Sequence, residues 1–347
     1  MKALVKTAYG PGNLTIMDVE KPKAKEHEVV VKVKAAAICG SDINFYLDKQ
    51  RMYIPPVILG HEISGIVEEV GEKVKNINVG DEVSIEANPY ACGSCFYCWS
   101  GQENLCLKRR GLGYEVNGGF AEYVKVPANM IIKKPDSIPF EEAAMMDVNV
   151  AVHAVIDRSV LKPRDYVVII GPGFEGLCVL QLVKLFNPRC ILIAGLKKDS
   201  NRLKIAESLG ADKIVVSDEE DLKSIVMRDT KRVGADIVFE CSGSVEGINT
   251  GIEVVRRNGR ITVIGMPPRN IKGLYDEINI FDVVAKQVSL FGTRSYTRVN
   301  CEWSMEALME GKITLKPLIG MTLPLEKWIE GFKKQMNGEI VKAIIKF

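Results

Sequence analysis

Residues 166–176 read YVVIIGPGFEG, an apolar run that leads directly into a glycine-rich turn and then into an apolar helical pattern. Gly171, Gly173 and Gly176 have the G-x-G-x-x-G spacing, in which successive glycines permit a tight turn, admit a pyrophosphate, and let helix and strand pack closely. The N-terminus of the following helix is suited to binding phosphate groups. The stretch therefore predicts a dinucleotide-binding turn, whose candidate cofactor-binding residues are Gly171, Gly173, Phe174, Glu175 and Gly176.

The sequence after this turn continues to alternate between strand-like and helical segments. Apolar runs such as CILIAG, KIVVS, ADIVFE, RITVIG and VSLFGT are separated by helical patterns such as NRLKIAESLG. This rhythm is typical of βαβ units in a doubly wound parallel sheet, the Rossmann fold. We predict that residues 148–290 form an NAD(P)-binding Rossmann domain.

Residues 1–147 have a different pattern, made of short alternating runs broken by glycine and proline. The runs EVVVKVKAAAIC, SGIVEEVGE, GDEVSIEA and AEYVKVP predict strands of an antiparallel, barrel-like unit, and PDSIPFEEAAMMDV predicts a helix. After residue 290 the chain returns to mixed helix and strand. The predicted fold class is therefore α/β, with residues 291–347 rejoining the barrel-like unit.

The end of the second strand of a Rossmann domain selects the cofactor, because an acid there binds the ribose 2′-hydroxyl of NAD. Gly195 stands at this position and is followed by Lys197 and Lys198. Without an acid at this position, a 2′-phosphate is not repelled, and the two lysines would attract that phosphate. We therefore predict that NADP is preferred over NAD. The alternative is that the lysines are solvated and that Asp199 offsets their charge.

Four of the nine cysteines of the chain are gathered in one short segment, YACGSCFYCWSGQENLC. Soft thiolates at these spacings can surround one ion as a closed tetrahedron, which is typical of structural zinc. An iron–sulfur cluster is the alternative, but a bacterial ferredoxin pattern places the fourth cysteine closer and follows it with proline, whereas Leu107 follows here. The predicted ligands of a structural zinc are Cys92, Cys95, Cys98 and Cys106.

A second candidate metal site comes from AAAICGSDINFY and VILGHEISG, where Cys39 and His61 each follow a strand-like run. A thiolate, an imidazole and a carboxylate would hold zinc with one position open for substrate. Asp42 could orient His61 through its second ring nitrogen, Ser41 supplies a hydroxyl for proton relay, and Glu62 adds a carboxylate beside the metal. Taken alone, Cys39 and His61 would more often be a buried thiol and a core histidine.

Asp147 is the candidate for the carboxylate ligand, because a charge among the small and apolar residues of the predicted helix is costly unless it is paired or bound to metal. One alignment register places Met146 at the ligand position, but a neutral thioether is a poor zinc ligand. The alternative is that Asp147 is an ordinary helix acid, in which case Glu62 becomes the leading third ligand.

Composition narrows the class of protein. The 347 residues are enough for two domains, and 47% hydrophobic with 26% charged residues is ordinary for a globular protein. A net charge of only +2 gives no electrostatic case for a nucleic-acid partner. We expect no membrane partner and a cytoplasmic location, because the sequence shows neither a signal peptide nor a bilayer-spanning run, and because an odd number of cysteines argues against a disulfide framework.

The motifs CGSD, GHEISGIVEEVG, GDEV, GGFAEYVKVP, GPGFEG and RLKIAESLGAD, with the four cysteines, together resemble the zinc-containing medium-chain dehydrogenases. That family includes alcohol, sorbitol, threonine and galactitol-phosphate dehydrogenases, and the resemblance covers essentially the whole chain. It implies a GroES-like catalytic domain, made from both chain ends, around a Rossmann domain. It also implies that Cys39, His61 and an acid near residue 147 bind catalytic zinc, with Glu62 beside it.

Details of the resemblance favour the polyol branch of the family. Arg294 and Tyr296, in FGTRSYT, resemble a segment that faces substrate in polyol enzymes. Two positions depart from the family pattern. Asn44 stands where the family often has a histidine in the proton path, and the segment MDVNV replaces the Glu-Pro-Leu that commonly follows the acidic zinc ligand.

We therefore expect a zinc-dependent oxidoreductase that transfers a hydride between the secondary hydroxyl of a polyol-type substrate and a nicotinamide cofactor. The cofactors would be two zinc ions per chain and NADP, and we expect a homo-oligomer, either a dimer or a tetramer. An L-threonine-type amino-alcohol dehydrogenase is one alternative. A nucleotide-binding redox sensor without turnover is another, although it would not need Cys39, Ser41, Asp42, His61 and Glu62 together.

Overall fold

The computed structural model describes residues 1–87, 90–267 and 278–347. Its strands are β1 Lys2–Lys6, β2 Leu14–Asp18, β3 Glu28–Ala37, β4 Val57–Ile58, β5 Glu62–Val70, β6 Glu82–Ile85, β7 Tyr123–Pro127, β8 Ile131–Lys133, β9 Tyr166–Ile170, β10 Cys190–Gly195, β11 Lys213–Val216, β12 Ala235–Glu240, β13 Val255–Val263, β14 Ser289–Gly292, β15 Ile319–Pro324 and β16 Lys342–Lys346. Its α-helices are α1 Gly40–Tyr46, α2 Phe96–Trp99, α3 Phe140–Ala144, α4 Val148–Val152, α5 Phe174–Lys184, α6 Ser200–Ser208, α7 Leu222–Asp229, α8 Val245–Val254, α9 Ile280–Ala285, α10 Arg298–Met309 and α11 Trp328–Met336. Within the described ranges, no helix combines the length and the apolar character needed to cross a bilayer.

The chain folds into two compact units. The first contains Met1–Asp147 together with Tyr296–Phe347, and the second contains Val148–Ser295. We call these the catalytic unit and the nucleotide unit. Strand β14 belongs to the sheet of the nucleotide unit, so that unit continues beyond the predicted boundary at residue 290.

The catalytic unit is built around strand β3, whose alternating valines Val29, Val31 and Val33 lie in its core. The strand order of the main sheet is β15-β16-β3-β5-β6-β8, with β7 also paired to β3. Neighbours of β3 run antiparallel to it, as the sequence predicts, whereas β15 and β16 run parallel to each other. Because β16 pairs with β3, the C-terminal strand is an integral part of this sheet.

The nucleotide unit is a six-stranded parallel sheet with strand order β11-β10-β9-β12-β13-β14. Strand β9 lies at its centre, and all five of its residues are buried. Helix α5 follows β9 directly and buries most of its length. This is the doubly wound arrangement that the alternating apolar runs predict.

The three glycines after β9 occupy three distinct environments. Gly171 has a φ of +99°, and a Cβ atom there would lie 2.8 Å from the backbone nitrogen of Ser242. Gly173 precedes α5 and has no heavy atom within 4 Å of a built Cβ, so the backbone is open to a ligand. A Cβ at Gly176 would lie 2.0 Å from the carbonyl oxygen of Gly171, because helix and turn are in direct contact. The spacing therefore has a separate structural reason at each position.

Packing explains the glycine at the end of β10. A Cβ atom at Gly195 would lie 2.6 Å from Cγ of Pro172 and 3.2 Å from Cδ2 of Leu203. Contacts this short require neighbouring atoms to move. An aspartate at residue 195 therefore does not fit against this proline without a shift of the phosphate-binding turn.

A pair of substitutions in the turn should separate folding from ligand binding. Gly176→Ala should lower the free energy of unfolding by about 1–3 kcal/mol, because its methyl group overlaps the carbonyl of Gly171. Gly173→Ala is the matched control, since its methyl group meets open space and should leave stability unchanged while weakening binding of the nucleotide. Denaturant unfolding and cofactor titration measure the two effects. Equal stability of both variants would contradict the packing role of Gly176.

Candidate active site and metal centres

The four cysteines of the predicted structural site converge in space. One ligand atom from each of Cys92, Cys95, Cys98 and Cys106 lies within 4.8 Å of the others. The Sγ atom of Cys98 is 4.0 Å from that of Cys92 and 3.6 Å from that of Cys95. Zinc–sulfur bonds of about 2.3 Å in a tetrahedron separate the sulfurs by roughly 3.8 Å. The observed distances therefore fit a Zn(Cys)₄ site.

Hydrogen bonds in this loop lower the pKa of Cys92 and Cys95, whereas burial and the neighbouring thiols raise the pKa of Cys98 to about 11. Gly93 and Gly101 have φ angles of +66° and +71°, which allow the chain to wrap around a centre. Backbone and hydroxyl hydrogen bonds from Ser94 lower the pKa of Cys92 to about 6. The backbone N–H of Cys92 donates to Sγ of Cys106 at 3.3 Å. Such donors to sulfur stabilise thiolates, which are the form that binds metal.

The second cluster contains Cys39, His61, Glu62 and Asp147, again within 4.8 Å of one another. Cys39 follows β3 and caps α1, and His61 lies immediately before β5. Oδ2 of Asp147 lies 3.0 Å from Sγ of Cys39 and 3.3 Å from Nε2 of His61. The structure thus brings thiol, imidazole and carboxylate together, a donor set that suits zinc with an open position.

Asp147 reaches the cluster from a turn and not from a helix. Helix α3 ends at Ala144, α4 begins at Val148, and Asp147 lies between them. The expectation of a helical position is therefore wrong, because the chain changes direction at Met145, where ψ is +53°. The turn points the carboxylate inward, and Asp147 is only 8% exposed.

Electrostatic interactions within the cluster, together with burial, shift the pKa values of its members. Burial raises the pKa of the Cys39 thiol to about 11, and the carboxylate of Asp147 adds to this. Despite burial, the acidic groups of Tyr114 and Asp147 raise the pKa of His61 well above its usual value. Burial acts against ionisation of Asp147, yet His61 holds its pKa well below the usual range. Binding of a metal cation to these groups would displace protons from the thiol and the imidazole.

Asp42 lies on the other side of the imidazole, with Oδ1 at 3.8 Å from Nδ1 of His61. Nδ1 is buried and has no hydrogen-bond partner in the described part of the chain. The carboxylate of Asp42 accepts hydrogen bonds from the backbone N–H groups of Cys39 at 2.9 Å and Gly60 at 3.3 Å. Asp42 therefore ties together the two segments that carry Cys39 and His61.

Glu62 is held by a residue that the sequence reasoning missed. Nζ of Lys342, on β16, forms a buried ion pair with Oε1 of Glu62, and among the described residues the buried Oε2 has no hydrogen-bond partner. Burial raises the pKa of Glu62 to about 8, and the charge of Lys342 opposes this rise. The sequence feature that could have revealed this residue is a lysine within the otherwise apolar strand VKAII. One carboxylate oxygen of Glu62 is thus committed to the lysine, whereas Oδ2 of Asp147 lies 3.0 Å and 3.3 Å from the other two donor atoms and is the better placed third ligand.

Tyr114 is a second residue that sequence reasoning missed. Its hydroxyl lies 3.2 Å from Nε2 of His61 and 3.5 Å from Oγ of Ser41. The tyrosine in the glycine-rich turn GLGYEVNGG was a weak signal, since glycine turns often bring backbone close to a site. Two hydroxyl groups therefore border the metal-ligating cluster.

Burial, together with the nearby groups Cys301 and Asp147, raises the pKa of Tyr296 well above its usual value, so this predicted residue lies near the metal-ligating cluster. Tyr296, in the catalytic unit, is 1% exposed, and its hydroxyl accepts a hydrogen bond from the backbone N–H of Ala87 at 2.9 Å. Arg294 has an exposed side chain in the nucleotide unit. Lys197 forms an exposed ion pair with Glu219 at 2.8 Å.

The acid that could offset the lysines after β10 is directed into the protein. Asp199 is 6% exposed. Its carboxylate accepts a hydrogen bond from the backbone N–H of Leu196 and pairs with Arg202, each at 3.2 Å. Asp199 therefore closes its own turn, and Lys198 keeps an exposed side chain beside it.

The two cysteine-containing clusters should have separable roles. Cys95→Ser should remove one zinc per chain and lower the melting temperature by roughly 5 °C or more, because a structural zinc contributes directly to folding. Cys39→Ser should retain the fold and abolish turnover. Cys190→Ser, outside both clusters, is the control. Metal analysis and thermal unfolding test this, and a single zinc per wild-type chain would contradict it.

Asp147 should be required for the second metal only. Asp147→Asn should weaken zinc binding there and reduce turnover at least about tenfold, while the four-cysteine site stays filled. Asp136→Asn, an exposed acid before α3, is the control. Chelator competition and steady-state kinetics measure the effect. Full zinc content and normal turnover of Asp147→Asn would make Glu62 the leading third ligand.

Comparison with known proteins agrees with these features. The family model described as "Alcohol dehydrogenase GroES-like domain" matches residues 25–136, and "Zinc-binding dehydrogenase" matches residues 176–310. The chain is 35% identical to D-arabitol-phosphate dehydrogenase of Enterococcus avium over 99% of this chain and 97% of that protein. It is also 35% identical to L-threonine 3-dehydrogenase of Bacillus velezensis, over 99% of this chain and 98% of that protein.

Solved structures show the same fold. A protein described as a zinc-binding dehydrogenase from Sinorhizobium meliloti 1021, bound to NADP, superposes with a TM-score of 0.90 at 26% identity. The match covers 100% of this chain and 99% of that chain. The chain therefore belongs to the zinc-containing medium-chain alcohol dehydrogenase family, with a GroES-like catalytic domain and a Rossmann nucleotide-binding domain.

Proposed function

We propose that this dehydrogenase transfers a hydride between the secondary hydroxyl of a polyol-type substrate and a nicotinamide cofactor. The observation that carries the proposal is the convergence of Cys39, His61 and Asp147, with the hydroxyl of Tyr114 bordering them. Three protein ligands with neighbouring hydroxyls suit a zinc ion that must also accept a substrate oxygen. The nicotinamide cofactor supplies the hydride chemistry.

Zinc in this cluster would act as a Lewis acid that lowers the pKa of the substrate hydroxyl. Cys39, His61 and Asp147 would hold it. Ser41, which is partly exposed, would relay the proton that the substrate hydroxyl loses, accepting it on Oγ while its own hydroxyl proton passes on to solvent. Asp42 accepts hydrogen bonds from the backbone N–H groups of Cys39 and Gly60, and these bonds hold Cys39 and His61 in position relative to each other. A second zinc in the four-cysteine loop, supported by its sulfur distances, would stabilise the fold.

The relatives leave two substrate classes to separate. A polyol is one candidate because one relative is named for a sugar-alcohol phosphate, and an amino alcohol is the second because a threonine dehydrogenase shares the same 35% identity. Purified protein should be assayed with polyols, polyol phosphates, simple secondary alcohols and L-threonine, each with NAD and NADP. Reduced nicotinamide with polyols supports the proposal, reduction only with L-threonine supports the alternative, and no reduction supports a nucleotide-binding sensor.

NADP is the proposed cofactor. Gly195 carries no acid to repel a 2′-phosphate, and Asp199, which would also repel one, is turned inward to Arg202. Lys198 is exposed next to the end of β10. Lys197 forms an exposed ion pair with Glu219, and such a pair contributes little free energy, so Lys197 can exchange it for a phosphate. These charges favour a phosphate over a bare hydroxyl.

We also propose a homo-oligomer in the cytoplasm. Edge strand β14 exposes Leu290, and helix α9, which precedes it in the chain, exposes Phe281 and Val284 by 81% and 71%. Apolar side chains at a sheet edge favour association of protein chains. The four loop cysteines are free, which favours a reducing compartment where thiols stay unpaired. Sedimentation of the purified protein measures the number of chains.

Neutralising the lysines should affect only NADP. Lys197→Gln combined with Lys198→Gln should reduce kcat/KM for NADP at least about tenfold, because a charged hydrogen bond to phosphate is lost, and should leave NAD unchanged. Lys204→Gln, an exposed lysine farther along α6, controls for net charge. Equal loss with both cofactors, or higher wild-type efficiency with NAD, would overturn the preference.

A further inference from the structure

The hydroxyl of Tyr114 occupies a position that the proposed chemistry does not yet use. It lies 3.2 Å from Nε2 of His61 and 3.5 Å from Oγ of Ser41. The tyrosine and histidine rings meet edge to face, with centroids 4.9 Å apart. This side chain is half-buried, so part of it remains accessible beside the cluster.

The turn that carries Tyr114 is built for this placement. A Cβ at Gly113 would lie 2.8 Å from the carbonyl oxygen of Gly60, and one at Gly118 would lie 2.0 Å from the same atom. Only glycine allows the turn to approach so closely the residue that precedes His61. The carbonyl of Tyr114 also accepts a hydrogen bond from the backbone N–H of Ile54 at 2.9 Å. The position of the tyrosine is therefore set by backbone packing.

Aromatic packing restricts the ring as well. A Cβ at Gly111 would lie 2.3 Å from Cδ2 of Tyr114, so the backbone lies directly against the ring. On another side, Phe45 meets the ring edge to face at 4.9 Å. The hydroxyl therefore has little freedom to turn away from the cluster.

The histidine nitrogen nearest the tyrosine is also the one that faces Asp147. Nε2 of His61 lies 3.3 Å from Oδ2 of Asp147, on the side where a metal would bind. A nitrogen whose lone pair binds a metal cannot also accept a hydrogen bond. In the metal-loaded protein the tyrosine hydroxyl must therefore find another acceptor. Ser41 is adjacent, but it is occupied with the reacting oxygen in the proposed mechanism.

We propose that Tyr114 is a specificity-determining residue, whose hydroxyl donates a hydrogen bond to a second substrate hydroxyl on the carbon next to the reacting one. Ser41 and Tyr114 present two hydroxyl groups 3.5 Å apart, which match two neighbouring oxygens of one substrate. A site built to bind a hydroxyl discriminates strongly against a substrate that lacks it. The inference rests on the proposed function and narrows its substrate class to vicinal diols and polyols.

The test compares 2,3-butanediol with 2-butanol, which differ by one hydroxyl. For wild type, kcat/KM should be higher with the diol. Tyr114→Phe should reduce kcat/KM for the diol at least about tenfold, mainly through KM, and should reduce kcat/KM for 2-butanol much less. Tyr53→Phe is the matched control, because it removes a phenol hydroxyl bonded to Asp48 from the same aromatic cluster and should change neither substrate.

A binding measurement keeps the inference independent of turnover. Ligand-observed NMR titration of zinc-loaded protein should show that Tyr114→Phe loses affinity for 2,3-butanediol and not for 2-butanol, with unchanged zinc content. Equal losses for both ligands, or no loss for the diol, would overturn the role of Tyr114. If wild type binds the diol selectively but reduces no cofactor, the proposed function fails while the inference about Tyr114 stands.

Discussion

The buried ion pair between Glu62 and Lys342 is the interaction on which the catalytic unit depends. Lysine and carboxylate are both withdrawn from water, and each is tolerated there only because the other is present. Removing one partner of such a pair typically costs about 3–5 kcal/mol. The lysine lies on β16, which pairs with β3, so the pair links the last strand of the chain to the segment that carries His61. The cation also moderates the negative charge of Asp147.

The two cysteine clusters use sulfur in different ways. In the loop, four thiols of the same kind surround one point, and hydrogen bonds from Ser94 favour ionisation near the surface. In the buried cluster a single thiol is combined with an imidazole and a carboxylate, and burial keeps the thiol protonated until a cation enters. The two donor sets therefore suit different sites: four thiolates suit a closed site, and one thiolate with an imidazole and a carboxylate suits a site with an open position.

Much of the fold could be predicted because its signals are local. Strand alternation, the glycine spacing after β9 and the short cysteine spacings each lie within one segment, and the structure contains the corresponding elements. Lys342 could not be predicted in the same way, because 280 residues separate it from Glu62 and only strand pairing brings them together. Tyr114 was missed because a turn tyrosine is ordinary until Gly60 is known to lie against that turn. Asp147 could be predicted because an unpaired charge in an apolar segment is energetically costly, although the sequence predicted a helix where the structure has a turn.

The contact between Gly195 and Pro172 has a consequence for how cofactor preference could change during evolution. The two residues belong to separate strand ends, yet a side chain at one is excluded by the ring of the other. An aspartate at residue 195 would be selected against on its own, because it would disturb the phosphate-binding turn before it could bind a ribose. Replacement of the proline would have to come first. A single van der Waals contact thus couples the residue at the end of β10 to the phosphate-binding turn.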